Sequence, residues 1–89
     1  SAFGPGLRDA YQRHQWRIKV RQAIALLSSP GVSRLSVAKA LSAEFSRQNR
    51  TQRKPSTEFG RLIRSAIDAY PSAATNPEAL WHEVDRYSK

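Results

Sequence analysis

Residues 57–70 read TEFGRLIRSAIDAY. Phe59, Leu62, Ile63, Ala66 and Ile67 stand at i, i+3, i+4, i+7 and i+8, which is the period of a helix with one apolar face. Arg61, Arg64, Ser65 and Asp68 fall on the opposite face. The preceding Pro55-Ser56 supplies a stop and a cap, and Glu58 sits in the first turn, where the helix dipole favours an anion. Gly60 inside this helix costs about 1 kcal/mol relative to alanine. That cost calls for a packing reason, such as the close approach of another helix.

Working back toward the N-terminus, residues 46–55, SRQNRTQRKP, are polar apart from the proline. They read as a connection carrying Arg47, Arg50, Arg53 and Lys54, although their three-residue spacing also suits a helical extension. Before it, residues 33–47 read as a helix capped by Ser33. Val37, Ala38, Leu41 and Phe45 form its apolar face, and Lys39 and Glu44 point away. A first helix is expected over 7–29, with Trp16, Val20, Ala23, Ile24 and Leu27 on one face. Leu7, Ala10 and Tyr11 either extend that face or form a short separate helix. Ser29-Pro30-Gly31 ends the element.

Toward the C-terminus, Asn76 caps a helix over 77–87 with Pro77 at its first position. Leu80, Trp81, Val84 and Tyr87 share a face. A helix this short must be packed to be stable, so Trp81 is expected to be buried against Trp16 and Val20. The acids Glu78, Glu83 and Asp85 are expected to point outward. Residues 1–6 read as a flexible leader and 7–89 as one domain. The first residue is Ser, which reads as a domain cut from a longer protein.

Charge divides the chain. Residues 1–64 hold thirteen Lys/Arg against three acids, and residues 65–89 hold two against four, within a total of +8. Such a field concentrates polyanions and speeds their capture, and nucleic acid is the commonest partner for it. Five of the six cations between 47 and 64 are arginine, whose fork matches phosphate oxygens and guanine edges. Cysteine is absent, so disulfides and thiolate metal sites are excluded. With two histidines far apart, no metal site or cofactor is expected. No catalytic constellation and no phosphate-binding glycine loop is present, so the domain is not expected to be an enzyme. No apolar run reaches the length of a membrane span. An intracellular location is expected, cytoplasmic, at the nucleoid or nuclear.

Two helices joined by a polar connection, the second with outward arginines, form the pattern of a helix-turn-helix. Lys39, Arg47, Arg50, Arg53, Lys54, Ser56, Thr57, Arg61 and Arg64 are the candidate nucleic-acid-binding residues. The 47–54 segment would grip phosphates, and Ser56, Thr57, Arg61 and Arg64 would face a duplex. The stretch from Val32 to Ile67 resembles the middle of the RFX-type winged-helix DNA-binding domain. That family has a helix, a polar connection and a helix bearing F-G-[KR]-L-I-R-S, matched here by Phe59-Gly60-Arg61-Leu62-Ile63-Arg64-Ser65. The resemblance implies DNA contacts for Arg61 and Arg64. The family then continues into an arginine-rich hairpin wing, whereas here Tyr70 is followed by Pro71-Ser72-Ala73-Ala74 and an acidic segment. The wing residues have no counterparts. Asn49, Pro55, Glu58, Ile63, Arg64 and Ser65 are also similar to a pattern in helical domains of plasmid and phage primases and replication initiators. A looser likeness is to LOTUS domains.

The expected fold is therefore all-α, a small bundle of three to five helices with a helix-turn-helix or winged-helix-like unit lacking a clear wing. The expected function is nucleic-acid binding, with duplex DNA favoured, within a larger replication, partition or transcription-regulatory protein that supplies any protein partner. The alternatives are a module docking an acidic protein partner, and RNA binding through the same arginines.

Overall fold

The computed structural model describes residues 5–51 and 53–88. Four helices follow in order: α1 (Pro5–Leu27), α2 (Arg34–Arg50), α3 (Glu58–Ala69) and α4 (Pro77–Tyr87). No strand occurs among the described residues. The fold is an all-helical bundle in which α1 lies mainly against α3 and α2 mainly against α4, with α2 also touching α3. Of the expected leader, residues 1–4 lie outside the described residues, and Pro5 and Gly6 already belong to α1.

Local chemistry sets each boundary. Ser28 N still bonds Ile24 O at 2.9 Å, and the chain then turns at Pro30 and Gly31. Gly31 has φ +89°, a left-handed conformation that side chains disfavour. Ser33 caps α2 by accepting from Ser36 N at 3.1 Å, and Asn76 caps α4 by accepting from Ala79 N at 2.8 Å. The cap of α3 is Thr57, not Ser56: Thr57 Oγ1 accepts from Gly60 N at 3.0 Å. Helix α2 runs one turn beyond the expected Arg47 and ends at Arg50, so Arg47 and Arg50 ride on helix and not on the connection.

The core is Trp16, Val20, Ala23 and Ile24 of α1, Val37, Ala38, Leu41 and Phe45 of α2, Ile63 and Ala66 of α3, and Leu80 and Val84 of α4. Trp16 and Phe45 meet with ring centroids 6.2 Å apart at its centre. Leu27, Phe59, Leu62, Ile67 and Trp81 pack partly buried around it. Leu7 and Tyr11 remain exposed, so the start of α1 adds nothing to the buried face. Helix α4 departs from expectation. It packs chiefly on α2 rather than α1, which turns Leu80 and Val84 inward and leaves Trp81 at the rim, edge-on to His82 at 5.5 Å. Glu83, expected to point outward, is 7% exposed. It faces Arg17 of α1 at 3.3 Å and accepts from Arg86 at 3.2 Å. A buried carboxylate is stable only when paired, and this pair is the main polar tie between α1 and α4. On the far side, Arg34 donates to Asp85 at 2.6 Å and fixes the start of α2 to α4.

The glycine in α3 has its reason here. A Cβ on Gly60 would lie 3.0 Å from Pro55 Cβ, 3.1 Å from Thr57 Oγ1 and 3.3 Å from Gln48 Nε2. Two substitutions probe this packing by thermal melts. Ile63→Ala should lose about 2–5 kcal/mol, as a fully buried aliphatic does. Gly60→Ala should also lower the melting temperature. The helix-propensity gain of about 1 kcal/mol is outweighed by overpacking against the proline ring, which costs about 1–3 kcal/mol. A rise on Gly60→Ala would show that the connection yields freely.

Candidate nucleic-acid interface

The nine candidate residues separate into three groups once their partners are known. Arg50 and Arg64 serve the end of α2. Arg50 Nε donates to Ser46 O at 3.3 Å, and Arg64, reaching across from α3, donates to Gln48 O at 3.0 Å. The last carbonyls of a helix have no partners within it and carry the negative end of its dipole. Arg64 therefore caps this terminus and Thr51 N closes on Arg47 O at 3.1 Å, whereas Arg50 adds a second bond to a carbonyl that the helix ladder already pairs. Arg64 is half-buried, with Asp68 3.9 Å away. The expectation that Arg64 stands on the free outer face of α3 is corrected accordingly: it rivets α3 to α2.

Ser56 and Thr57 form the second group. They lie at the entry to α3, and Thr57 is committed to the cap.

The third group is exposed cations. Lys39 stands on the outer face of α2, Arg53 and Lys54 on the connection, and Arg61 on α3. None of these four side chains makes an ion pair or hydrogen bond among the described residues. Arg47 keeps only a 3.8 Å approach to Glu44, with its own side chain 71% exposed. The outer stripe of α3 consists of Glu58, Arg61, Ser65 and Asp68, in which the acids outnumber the cation. The cationic surface is consequently the C-terminal half of α2 with the connection, and α3 borders it.

A cavity of about 280 Å³ opens within this surface, lined by Arg47, Gln48, Thr51, Arg53, Lys54, Pro55 and Ser56. Gln48 falls within the stretch 46–55 that reads from the sequence as a polar connection. It is 2% exposed, and its Nε2 donates to Glu44 at 3.0 Å while Oε1 has no partner among the described residues. The i+3 step from Phe45 onto the same helix face was the signal that it points inward.

A second cleft of about 230 Å³ lies between α1, the 71–74 loop and α4, with Arg13, Trp16, Arg17, Tyr70 and Glu83 in its walls. Arg13 sits over the Tyr70 ring, 5.9 Å from its centroid, and bonds Asp9 at 3.0 Å. Tyr70 first, and Asp9 second, raise the guanidinium pKa further above its ordinary value. No group of His, Asp and Glu suited to a metal ion exists among the described residues. No helix among them is long and apolar enough to cross a membrane. The chain matches no protein-family model, no curated protein and no solved structure.

The split between capping and exposed arginines is measurable. Arg64→Ala should cost about 1 kcal/mol of stability or more, since it strips the cap from a part-buried carbonyl. Arg61→Ala should stay within about 0.5 kcal/mol, as an exposed site does. Equal melting temperatures for the two variants would contradict the capping role.

Proposed function

We propose that this domain binds nucleic acid, with duplex DNA as the favoured form, through the outer face of α2 and the connection to α3. The observation that carries the reading is the gathering of Arg47, Arg53 and Lys54 around one cavity with so little acidic pairing, while Lys39 and Arg61 are exposed elsewhere on α2 and α3. Such side chains release counterions from phosphates on binding, which is the dominant electrostatic gain of nucleic-acid association. Arg64 supports the surface from the α3 side, where it offsets the negative pole at the end of α2 that would otherwise repel phosphate.

Helices α2 and α3 with their connection act as the helix-turn-helix-like unit, and the resemblance of residues 32–67 to the RFX-type domain and to primase-associated helical domains agrees with it. In this reading α2 and the connection take the phosphates, while α3 approaches the groove through Arg61. Along the chain, α4 follows α3 where the sequence of the winged-helix family continues into its hairpin. The parent protein is then one of replication, partition or transcription regulation.

Titration against duplex DNA, single strands and structured RNA at two salt concentrations tests the reading and its preference for duplex. The double variant Arg53→Glu, Lys54→Glu should bind duplex more weakly. Its log–log salt slope should be flatter by about one unit for each phosphate that the variant no longer neutralises. Unchanged affinity and slope would move the interface to the cations of α1 between Arg13 and Arg21. Binding to an acidic polypeptide with no affinity for any nucleic acid would replace the reading with a protein-docking module.

A further inference from the structure

We propose that the cavity between the last turn of α2 and the returning segment Arg53–Ser56 receives a phosphomonoester, the terminal phosphate of a nucleic-acid strand. This rests on the nucleic-acid reading above and narrows it from the flank of a strand to its end.

Charge favours a terminal phosphate. Arg47, Arg53 and Lys54 all line the cavity, and Glu44, 3.8 Å from Arg47, is the one carboxylate paired with any of them among the described residues. An internal phosphodiester carries a single negative charge. A terminal monoester carries between about −1.5 and −2 near neutral pH and presents three strong acceptor oxygens. Three converging cations suit the second better than the first.

Shape favours it too. The cavity holds about 280 Å³ and is walled by the last turn of α2 on one side and the returning chain on the other. An internal phosphate has a nucleotide on both sides, so its strand must run along the surface. A terminal phosphate is tethered on one side and can enter.

Hydrogen-bonding groups stand ready in the walls. Thr51 Oγ1 already accepts from Arg53 N at 3.2 Å, which leaves its proton for donation. The Ser56 hydroxyl has no partner among the described residues. Gln48, also in the wall, is more than nine-tenths buried with its Oε1 unpaired. A buried acceptor without a donor is costly. That oxygen lies inside the wall and not on the open face, so the donors offered to a phosphate in the cavity are those of Arg47, Arg53, Lys54, Thr51 and Ser56.

The experiment uses fluorescent duplexes of one sequence that end in a 5′-phosphate, in a 3′-phosphate or in hydroxyls only. One phosphorylated form should bind about tenfold more tightly than the hydroxyl form, the scale expected for a charge-assisted contact. The arm that gains identifies which end is read. Arg53→Ala and Lys54→Ala should close that gap, whereas a general loss of positive charge would weaken all three duplexes alike and overturn the inference. Equal binding of all three by the unaltered protein also overturns it and leaves the nucleic-acid reading standing. If no duplex binds, that reading fails, and amide shifts on adding inorganic phosphate or a nucleoside monophosphate decide the cavity. Saturable shifts at Thr51 and Ser56 then support a phosphate site, and their absence overturns it.

Discussion

The close approach of α3 to the end of α2 at Gly60 sets the rest of the site. Pro55, Thr57 and Gln48 all stand within 3.0–3.3 Å of where a Cβ would be. Nothing larger than a glycine lets the connection fold back this tightly against the helix that follows it. That tight return brings Arg53 and Lys54 beside Arg47, walls off the cavity, and places Arg64 where it reaches the Gln48 carbonyl at 3.0 Å. The propensity cost of glycine in a helix is the local concession. The assembled cationic surface is the gain.

The same junction explains how a domain with this much positive charge stays folded. Like charges crowded at one end of a bundle repel one another. Here Arg64 answers the carbonyl pole of α2, a favourable place for a cation. Arg34 and Arg17 are paired with the acids of α4, Asp85 and Glu83. The acidic C-terminal helix thus balances the two helices it joins, on a part of the surface away from the connection. Of the cations without an acidic partner among the described residues, Lys39, Arg50, Arg53, Lys54 and Arg61 lie on α2, the connection and α3, and Arg8, Lys19 and Arg21 lie on α1.

Much of the fold was legible in the sequence because helical periodicity reports burial directly. The faces of α1 through Trp16, Val20 and Ile24, and of α3 through Ile63 and Ala66, are the ones that the structure buries. The caps at Ser33 and Asn76 follow from side-chain chemistry alone. The departures have a common origin in tertiary placement. The exception is the cap of α3, where Thr57 rather than Ser56 takes the Gly60 N–H in a local bond set by the helix starting at Glu58. Trp81 sits at the rim because α4 packs on α2 in preference to α1, which no single-helix pattern encodes. Glu83 and Arg64 read as surface charges because their partners, Arg17 and the Gln48 carbonyl, lie 66 and 16 residues away along the chain. Charge composition located the candidate site. Which arginines are exposed and which are structural became visible only with their partners in place.

The end of α2 and the connection form the main surface proposed to meet nucleic acid, with the outer stripe of α3 contributing only Arg61. An amide chemical-shift map recorded while adding a short DNA duplex tests this most directly. Perturbations centred on Ser46 to Ser56, with Leu80 to Tyr87 of α4 unmoved, are the expected result. Perturbations confined to Arg61, Ser65 and Asp68 of α3, with the connection silent, would contradict it.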